Sequence, residues 1–571
     1  MIAGHGTRTR RRRAAVATTL AAMLLALAGC ANLPRSGPVT ASDPNVPAPQ
    51  GIGFLASGPQ AGSTPEEIVD GFLSASVAGI NDEFLVAREF LAGPAAETWQ
   101  PLEQVRIYAD APAPQIERTD DGGVQVSVMA EASLDGAGRY TEAAEGAMIE
   151  TGFTLARNTQ GEWRIVELED GVLLPVANFQ SVYTQSVLYF LTPDHEALVP
   201  EVRWFPQQNV ATSLVSALLE GPSPWLAPGV TTMVPVGTRL VVESVLLTEG
   251  VAHVDLSVDS LAAEGMERAL LYTQIQATLS GVPNVQEVEI TAAGTPFELN
   301  APPPRLPAYP YTSTPLTAVS DGELVQVADG EASPRVRSEL LAGMDVRDPA
   351  VGYESPVATT VFLDGTDRLV SASGNNAPPI LLTEGTQLVP PSVDRQGWVW
   401  TTPAASDGTL RAVRSNGQLV EVGASWLADG KIRALRVSRD GARIAVIWES
   451  AGSTVLDVAA IVRAADGTPR ELGEPRRIGD VLTDATDMAW VEEGTLAVLG
   501  TSSVAPDPTV HLVPIGGPTT YLPPVEGATD VTAGRGARSL VVTTDAGRLF
   551  ERNGSAWRAT LSGLSDPAFP G

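Results

Sequence analysis

Residues 250–257, which read GVAHVDLS, are the stretch that decides the fold in the middle of this 571-residue chain. Apolar and polar residues alternate through the last six of them, and this two-residue period is typical of a β-strand with one buried face. A helical pattern over residues 264–279 and a second strand pattern over residues 285–290 follow. The sequence therefore predicts strand, helix and strand in this order.

The residues on either side extend this unit to residues 185–301. Strand patterns at 188–191 and 198–204 precede a helix at 209–220, which ends before a glycine and a proline, the usual stop signal. Three further motifs point to one family: LEGP at 219–222, PVGT at 235–238 and the acidic Glu264 that opens the next helix. The unit resembles GerMN domains of spore-germination and cell-envelope lipoproteins. The resemblance implies an α/β module whose helices pack on a small sheet.

The polar residues of the deciding strand do not predict a catalytic site. His253, Asp255 and Ser257 share one strand face, whereas a Ser-His-Asp triad needs side chains that converge from separate segments. His195-Glu196 starts like a zinc-protease motif, but no second histidine follows at Val199. We therefore predict no catalytic residue, no metal and no cofactor, and no phosphate-binding loop is present. A glycosidase-type carboxylate pair stays open, because 67 acidic residues are available.

The N-terminus carries a targeting signal. Five arginines precede an apolar run over residues 14–28, and Leu27, Ala28 and Gly29 lead directly to Cys30, the only cysteine. This arrangement resembles the lipobox of bacterial lipoproteins, which implies that Cys30 is diacylated and N-acylated and that signal peptidase recognises residues 27–29. The alternatives are an ordinary signal peptide or an uncleaved anchor, but the run is shorter than the roughly 20 residues of a membrane span. The arginine cluster suggests twin-arginine export, but the residues after it do not extend that resemblance, so the export route stays open.

The predicted mature protein starts with a spacer and carries a strong negative charge. Residues 30–63 are rich in proline, glycine and serine, which predicts an extended tether that lifts the first domain off the lipid. The net charge is −30, and the five leader arginines are lost on cleavage, so the mature part is more acidic still. Such a surface excludes nucleic acid as a partner and favours partners with basic patches.

A first folded domain is predicted over residues 64–184. Thr64-Pro65-Glu66-Glu67 forms a capping box with proline at the first helical position, and a second helical stretch covers residues 82–91. Strand patterns follow at 124–128, 153–155 and 163–166. Helices followed by a curved antiparallel sheet resemble the fold of nuclear transport factor 2.

A proline-rich hinge over residues 302–315 precedes an all-β region over residues 316–571. Six apolar residues follow Gly- or Asp-bearing turns at a loose period: Leu324, Leu369, Trp398, Ile444, Leu496 and Leu540. Five steps cover 216 residues, near the four-stranded-blade period of a propeller, although one step is only 29. We predict a β-propeller of about six blades, with a pair of β-sandwiches as the alternative.

The order of leader (residues 1–29), tether, two α/β modules and propeller resembles the LpqB family of actinobacterial lipoproteins. The resemblance implies an accessory of the MtrA–MtrB two-component system that contacts the extracellular part of the sensor kinase MtrB and influences cell-wall metabolism and division. It implies a lipid-anchored protein on the extracytoplasmic side of the cell membrane. The family has no catalytic residues to assign to this chain. Cys30 is the one functional position that the resemblance assigns. The alternatives are a binder of peptidoglycan or another wall polymer, and a carboxylate-based envelope hydrolase.

Overall fold

The computed structural model describes residues 57–311, 314–353, 360–372 and 377–571. The leader, Cys30 and the tether up to residue 56 lie outside these ranges, so the predictions about them stay predictions. All described residues fall within one contact unit, residues 52–571. No helix among the described residues is long and apolar enough to cross a membrane.

The N-terminal domain begins at the predicted cap. Thr64 accepts a hydrogen bond from the backbone of Glu67, whose carboxylate accepts one from the Thr64 N–H at 2.9 Å. The domain has four helices and seven strands: α1 Pro65–Asp82, α2 Leu85–Arg88, α3 Pro94–Thr98, β1 Gln104–Tyr108, β2 Gln115–Arg118, β3 Val124–Asp135, β4 Tyr140–Glu142, β5 Met148–Arg157, β6 Trp163–Glu167, β7 Val172–Pro175 and α4 Val176–Val182. The capping box and the three strand predictions are confirmed.

The sheet of this domain has the order β6-β5-β3-β1-β7, with β2 and β4 paired to β3. Its apolar face packs against α1 in one core. The helix predicted over residues 82–91 is wrong except for its middle turn, α2. Glu83 and Phe84 have positive φ angles of 55° and 60°, and Phe84 is buried with its ring 5.7 Å from that of Trp99. Packing of Phe84 therefore turns the chain where local propensity favours a longer helix.

The second domain contains the deciding strand in the predicted order. Its elements are β8 Tyr183–Leu191, β9 Leu198–Pro206, α5 Val210–Glu220, a 3-10 turn Ala227–Gly229, β10 Leu246–Thr248, β11 Val251–Leu256, a 3-10 helix Val258–Ala262, α6 Gly265–Leu279, β12 Glu287–Ala292 and β13 Thr295–Pro296. Strands β8 and β9 form a hairpin, and the second sheet has the order β10-β11-β12-β13. Because β11 and β12 run parallel, α6 is the crossover that joins them.

The third domain is a ring of four-stranded sheets. Its strands are β14 Leu316–Ser320, β15 Glu323–Ala328, β16 Glu331–Pro334, β17 Val346–Val351, β18 Thr360–Asp364, β19 Arg368–Ala372, β20 Ile380–Glu384, β21 Ser392–Val393, β22 Val399–Thr401, β23 Thr409–Val413, β24 Leu419–Gly423, β25 Lys431–Val437, β26 Arg443–Ser450, β27 Ser453–Arg463, β28 Pro469–Leu472, β29 Arg476–Ile478, β30 Leu482–Glu492, β31 Thr495–Ser502, β32 Thr509–Pro514, β33 Thr520–Tyr521, β34 Ala528–Ala533, β35 Leu540–Thr544, β36 Arg548–Asn553, β37 Ala556–Ser562 and β38 Ser565–Ala568. Three 3-10 turns connect them: Ser338–Leu340, Ser425–Leu427 and Ala537–Ser539.

These strands form six blades in the described part of the chain, as predicted. Strands β14–β16 and the late strand β38 form the first blade, and β17–β20 form the second. The third and fourth blades, which start at β21 and β25, are joined through a β24–β28 pairing, and blades of four strands start at β30 and β34. The ring closes because β38 pairs antiparallel with β14. Such closure unites the first and last strands of the propeller in one blade, so the ring is held together by strand pairing.

The six apolar marks of the repeat fall one to a blade, and each is fully buried. Leu324 and Leu369 lie in the third strand of their blades, whereas the later marks lie in or beside the second strand. This shift from third to second strand explains the short step of 29 residues between Leu369 and Trp398. The repeat therefore consists of one buried apolar residue per blade, which lies in the third strand of the first two blades and in or beside the second strand of the other four.

The proline-rich linker is docked on the folded domains and is not a free hinge. Its Pro307 carbonyl accepts a hydrogen bond from the Leu198 N–H at 3.0 Å. Tyr309 is buried, and its hydroxyl lies 3.1 Å from the carbonyl oxygens of Trp490 and Gly534. The side chain of Arg439 stacks on its ring at 5.0 Å. The linker thus connects the second domain to the fourth, fifth and sixth propeller blades, a contact that proline content alone does not predict.

Replacing Tyr309 by phenylalanine is expected to destabilise the protein by about 1–3 kcal/mol, because buried carbonyl oxygens lose their hydrogen-bond donor. Urea-induced unfolding followed by tryptophan fluorescence measures the change. Tyr521→Phe is the matched control, since Tyr521 is 54% exposed and should change stability by less than about 0.5 kcal/mol. Equal effects of the two substitutions would contradict a docked linker.

Candidate functional site

Four aspartates from different blades converge at one mouth of the propeller channel. Asp348 lies on β17, Asp487 on β30, Asp530 on β34 and Asp566 on β38, and all four line a cavity of about 120 Å³ together with Arg436 of β25. The strand register shifts beside Asp348, Asp487 and Asp530, and Asp348 and Asp566 have positive φ angles of 44° and 49°. Bulges of this kind redirect a side chain, here toward the channel axis.

The cluster holds more negative than positive charge. Arg436 donates to Asp487 at 3.1 Å, and the Val531 N–H donates to the same carboxylate at 3.0 Å. Thr543 donates to Asp530 at 2.7 Å, and Ser565 donates to Asp566 at 2.6 Å. Arg433 also lines the cavity, but its guanidinium pairs with Glu449 and Asp484. Carboxylates therefore outnumber guanidinium groups at the cavity, and hydroxyl groups supply part of the remaining stabilisation.

Burial raises the pKa values of three of these aspartates. Burial, followed by the charges of Asp566 and Asp530, raises the pKa of Asp348 to about 7. Burial also raises the pKa values of Asp487 and Asp566 above the ordinary range, although Arg436 opposes the shift at Asp487. Chemically, the cluster can hold a proton near neutral pH. A cavity of about 120 Å³ is smaller than the roughly 300–1,000 Å³ of small-molecule pockets, so it has room for water and not for a sugar chain.

Replacing Asp348 by asparagine is expected to stabilise the protein more at pH 8 than at pH 5. A carboxyl group whose folded pKa is raised keeps its proton between about pH 4 and 7 while the unfolded chain has lost it, so folding stability falls as pH rises through that window. The advantage of the variant should grow by roughly 2 kcal/mol between the two pH values. Thermal unfolding at both pH values measures it.

Asp407→Asn is the control for this experiment, because hydrogen bonds from Thr409 lower the pKa of Asp407, which is therefore ionised at both pH values. A pH-independent difference between wild type and Asp348→Asn would contradict the raised pKa.

The second polar feature is the contact between the domains. Arg443 of the fourth blade pairs with Asp440, donates to the Glu493 carbonyl at 2.7 Å and reaches the Pro200 carbonyl of the second domain at 3.4 Å. Both charged side chains of the pair are at most 2% exposed. The N-terminal domain joins through Glu142, which accepts two hydrogen bonds of 2.7 Å from Thr519. The ion pair itself lies within the propeller, and hydrogen bonds from Arg443 to Pro200 and from Thr519 to Glu142 join the other two domains to it.

A third contact involves the His195-Glu196 pair that the sequence analysis set aside. It lies in the turn between β8 and β9, where Asp194 and Glu196 pair with Arg395 of the third blade. Burial would raise the pKa of Asp194, but hydrogen bonds from Thr192 and Arg395 outweigh it and lower the pKa to about 2. This turn therefore serves as a domain contact.

The strand residues His253, Asp255 and Ser257 have different partners. His253 is exposed and lies 2.9 Å from Glu289 on the neighbouring strand. Asp255 accepts hydrogen bonds from Thr291 at 2.7 Å and from the Gly294 N–H at 2.9 Å. Ser257 lies beyond the strand, directly before the 3-10 helix Val258–Ala262, and its hydroxyl donates to Asp259 at 2.8 Å. Among the described residues, no group of three or more His, Cys, Asp or Glu is placed to hold a metal ion.

Comparison with known families covers most of the described chain. Residues 58–180 match the family described as "Lipoprotein LpqB, N-terminal domain", and residues 322–570 match the "Lipoprotein LpqB beta-propeller domain". The chain belongs to the LpqB family of lipoproteins. Between these two matches, residues 187–298 match the family described as "Sporulation and spore germination", the GerMN-type module. The predicted fold class, two α/β modules followed by a propeller, is confirmed.

Curated relatives named Lipoprotein LpqB match over nearly their whole length. The one from Streptomyces avermitilis is 27% identical, covering 98% of this chain and 99% of the relative. The one from Mycolicibacterium smegmatis is 28% identical, covering 87% and 88%. Among solved structures, TolB from Acinetobacter baumannii matches 45% of this chain and 66% of its own at 13% identity, with a TM-score of 0.36. That score is too low to support a functional comparison.

The channel aspartates of this LpqB-family chain were not found by the sequence analysis, although a signal exists. Asp348-Pro349-Ala350, Asp487-Met488-Ala489 and Asp566-Pro567-Ala568 repeat the pattern Asp-x-Ala in three of the six blades, and Asp530-Val531-Thr532 is a close variant in a fourth. The apolar marks drew attention to the second and third strands, whereas this tripeptide lies on the innermost strand. The lipobox residues 27–30 lie outside the described part of the chain.

Proposed function

We propose that this LpqB-family lipoprotein is anchored through Cys30 to the extracytoplasmic face of the cell membrane and acts as an accessory of an MtrB-like sensor histidine kinase. In this role it modulates cell-wall metabolism and cell division. The observation that carries the proposal is the assembly of three domains by buried contacts into one body. Such a body presents a surface of constant shape to a membrane-bound partner, and it changes the sensor only if it binds the sensor's conformations with different affinity.

A binding role without catalysis is part of the proposal. The aspartate cluster with its raised pKa values has the chemistry that a carboxylate-based hydrolase would use. Its cavity of about 120 Å³, lined by the inner strands of the ring, is too small to admit a polysaccharide. The cluster therefore supports a structural role better than a catalytic one. Incubation of the purified protein with wall fragments should release no soluble sugar, and any release above that of an Asp348→Asn, Asp566→Asn double variant would contradict this part.

The partner is tested by direct binding. The chain without its leader is immobilised, and the extracellular domain of the MtrB-like sensor is passed over it at increasing concentration. We expect saturable association, with no binding of the extracellular domain of an unrelated sensor kinase from the same membrane. Absence of saturable association with the MtrB-like domain would overturn the partner.

A second candidate, binding of wall polysaccharide, is favoured by one groove of the propeller. The groove has a volume of about 660 Å³ on the last blade and is lined by Pro523, Phe550 and Trp557 beside Asp545 and Arg548. Aromatic faces beside polar groups are a common combination in ligand sites. If this candidate is correct, insoluble wall material should retain the protein, and Trp557→Ala should reduce the retained fraction at least about threefold.

A further inference from the structure

One edge of the GerMN-type domain exposes a concentration of large apolar side chains. Six side chains within 31 residues of sequence are at least 49% exposed: Val236, Val241, Val242, Leu246, Val258 and Met266. Leu247 and Leu261, in the same segments, are 42% and 43% exposed. We call the surface of residues 236–247 and 258–266 the edge strip.

The two segments of the edge strip lie side by side. The Val241 N–H donates to the Asp255 carbonyl at 2.8 Å, and β10, which contains Leu246, pairs with β11. The first segment therefore runs along β11 on the side away from β12, and its strand β10 forms the edge of the sheet. At its start, Gly237 approaches the side chain of Asp259 in the 3-10 helix. Arg268 donates to the Leu261 carbonyl at 3.2 Å, which ties the start of α6 to the same end.

The exposed apolar residues are not needed for the core of their own domain. Leu240, Val245 and Leu256 supply the buried contacts at this edge, and all three belong to the core cluster. Isolated exposed apolar residues are ordinary, but eight of them on two adjacent segments mark a surface that another molecule covers. The strip also includes β10, the edge strand of the four-stranded sheet, which offers an unpaired strand edge for docking.

The rim of the edge strip is acidic. Glu243, Glu249, Asp259, Glu264 and Glu267 are all exposed within or beside the two segments. The only exposed arginine of the strip is Arg239, because the guanidinium of Arg268 is held by backbone carbonyl groups. An apolar row with an acidic rim is complementary to an apolar row with a basic rim, and it repels anionic lipid headgroups.

We propose that the edge strip is the surface on which this protein docks its sensor, through an apolar row flanked by lysine and arginine on the sensor's extracellular domain. This inference rests on the proposed function and assigns a surface to it. Burial of Val242 and Leu246 supplies the central contacts, and the acidic rim accelerates and orients the encounter. Affinity therefore falls as the salt concentration rises.

Binding of the sensor's extracellular domain to single variants of the leaderless chain tests the surface. Leu246→Glu and Val242→Glu are each expected to weaken binding at least about tenfold, because a buried unpaired charge replaces a central apolar contact. Ile380→Glu is the matched control, since Ile380 is an exposed apolar residue on the second blade, 51% exposed, and its variant should bind within about twofold of wild type. All variants should unfold at the wild-type temperature. Binding of Leu246→Glu within twofold of wild type would overturn the docking surface and leave the proposed function intact.

A second measurement separates the two proposals if wild-type protein fails to bind the sensor domain. A photo-crosslinking residue is placed at position 246 or 380 of the full-length lipidated chain in its own membrane. An adduct with the sensor that forms from position 246 but not from position 380 supports both proposals. An adduct with another envelope protein, purified and shown to bind in a salt-dependent manner, keeps the edge strip as a docking surface but overturns the sensor as its occupant, together with the proposed function. Equal adducts at the two positions, or adducts with lipid alone, overturn the edge strip.

Discussion

Replacement of Cys30 by alanine is expected to move the protein from the membrane to the soluble fraction. The thiol is the only side chain of the Leu27–Cys30 motif that can carry a diacylglycerol group. Two or three acyl chains give stable anchoring, since each buried methylene group contributes about 0.8 kcal/mol and a single chain binds only marginally. The apolar run before Cys30 is too short to replace them as a membrane span. Radiolabelled fatty acid and fractionation of cells measure the effect.

The expected result is loss of at least about nine-tenths of both the label and the membrane-bound fraction. Ser36→Ala, in the same tether, is the control and should keep both at the wild-type level. A Cys30→Ala protein that is still labelled and still membrane-bound would contradict the lipobox. Wild-type protein recovered without label and inside the cell would contradict the localisation as well.

Replacement of Arg443 by alanine is expected to cause a loss of about 3–5 kcal/mol in the free energy of unfolding, because it leaves the buried carboxylate of Asp440 without its cation. Arg443 also stacks on Trp490 at 5.1 Å and donates to backbone carbonyls of the fifth blade and the second domain. Loss of Arg443 therefore removes the ion pair with Asp440 and also weakens the contact between the propeller and the second domain. The midpoint of urea-induced unfolding measures the change.

Two variants make this result specific. Arg368→Ala removes an arginine of the same kind that pairs with Asp364 at 2.7 Å but is 48% exposed, so it should cost less than about 1 kcal/mol. The double variant Arg443→Met, Asp440→Asn leaves no unpaired charge and should recover part of the loss. A loss below about 1 kcal/mol for Arg443→Ala would contradict the role of Arg443 between the domains.

Several elements could be predicted because their causes lie within a few residues of sequence. The capping box at Thr64, the glycine stop after α5 and the alternation in β11 each depend on neighbours at most four positions away. The sequence also contains the blade repeat, since each blade buries one apolar residue after a turn. The helix over residues 82–91 was predicted from the same local rules, and it was wrong because Phe84 packs on a distant tryptophan.

The order of the modules, the repeat that builds a propeller and the thiol at the predicted cleavage site can all be recognised in the amino-acid sequence without the structure. Only the three-dimensional packing closes the ring through β38, places the Tyr309 hydroxyl beside carbonyl oxygens of the fifth and sixth blades and brings Asp194 to Arg395. It also decided that four aspartates meet at one channel mouth, from positions spread between Asp348 and Asp566. Local propensity cannot specify such contacts, because they depend on strand register, bulges and ring closure over more than 200 residues.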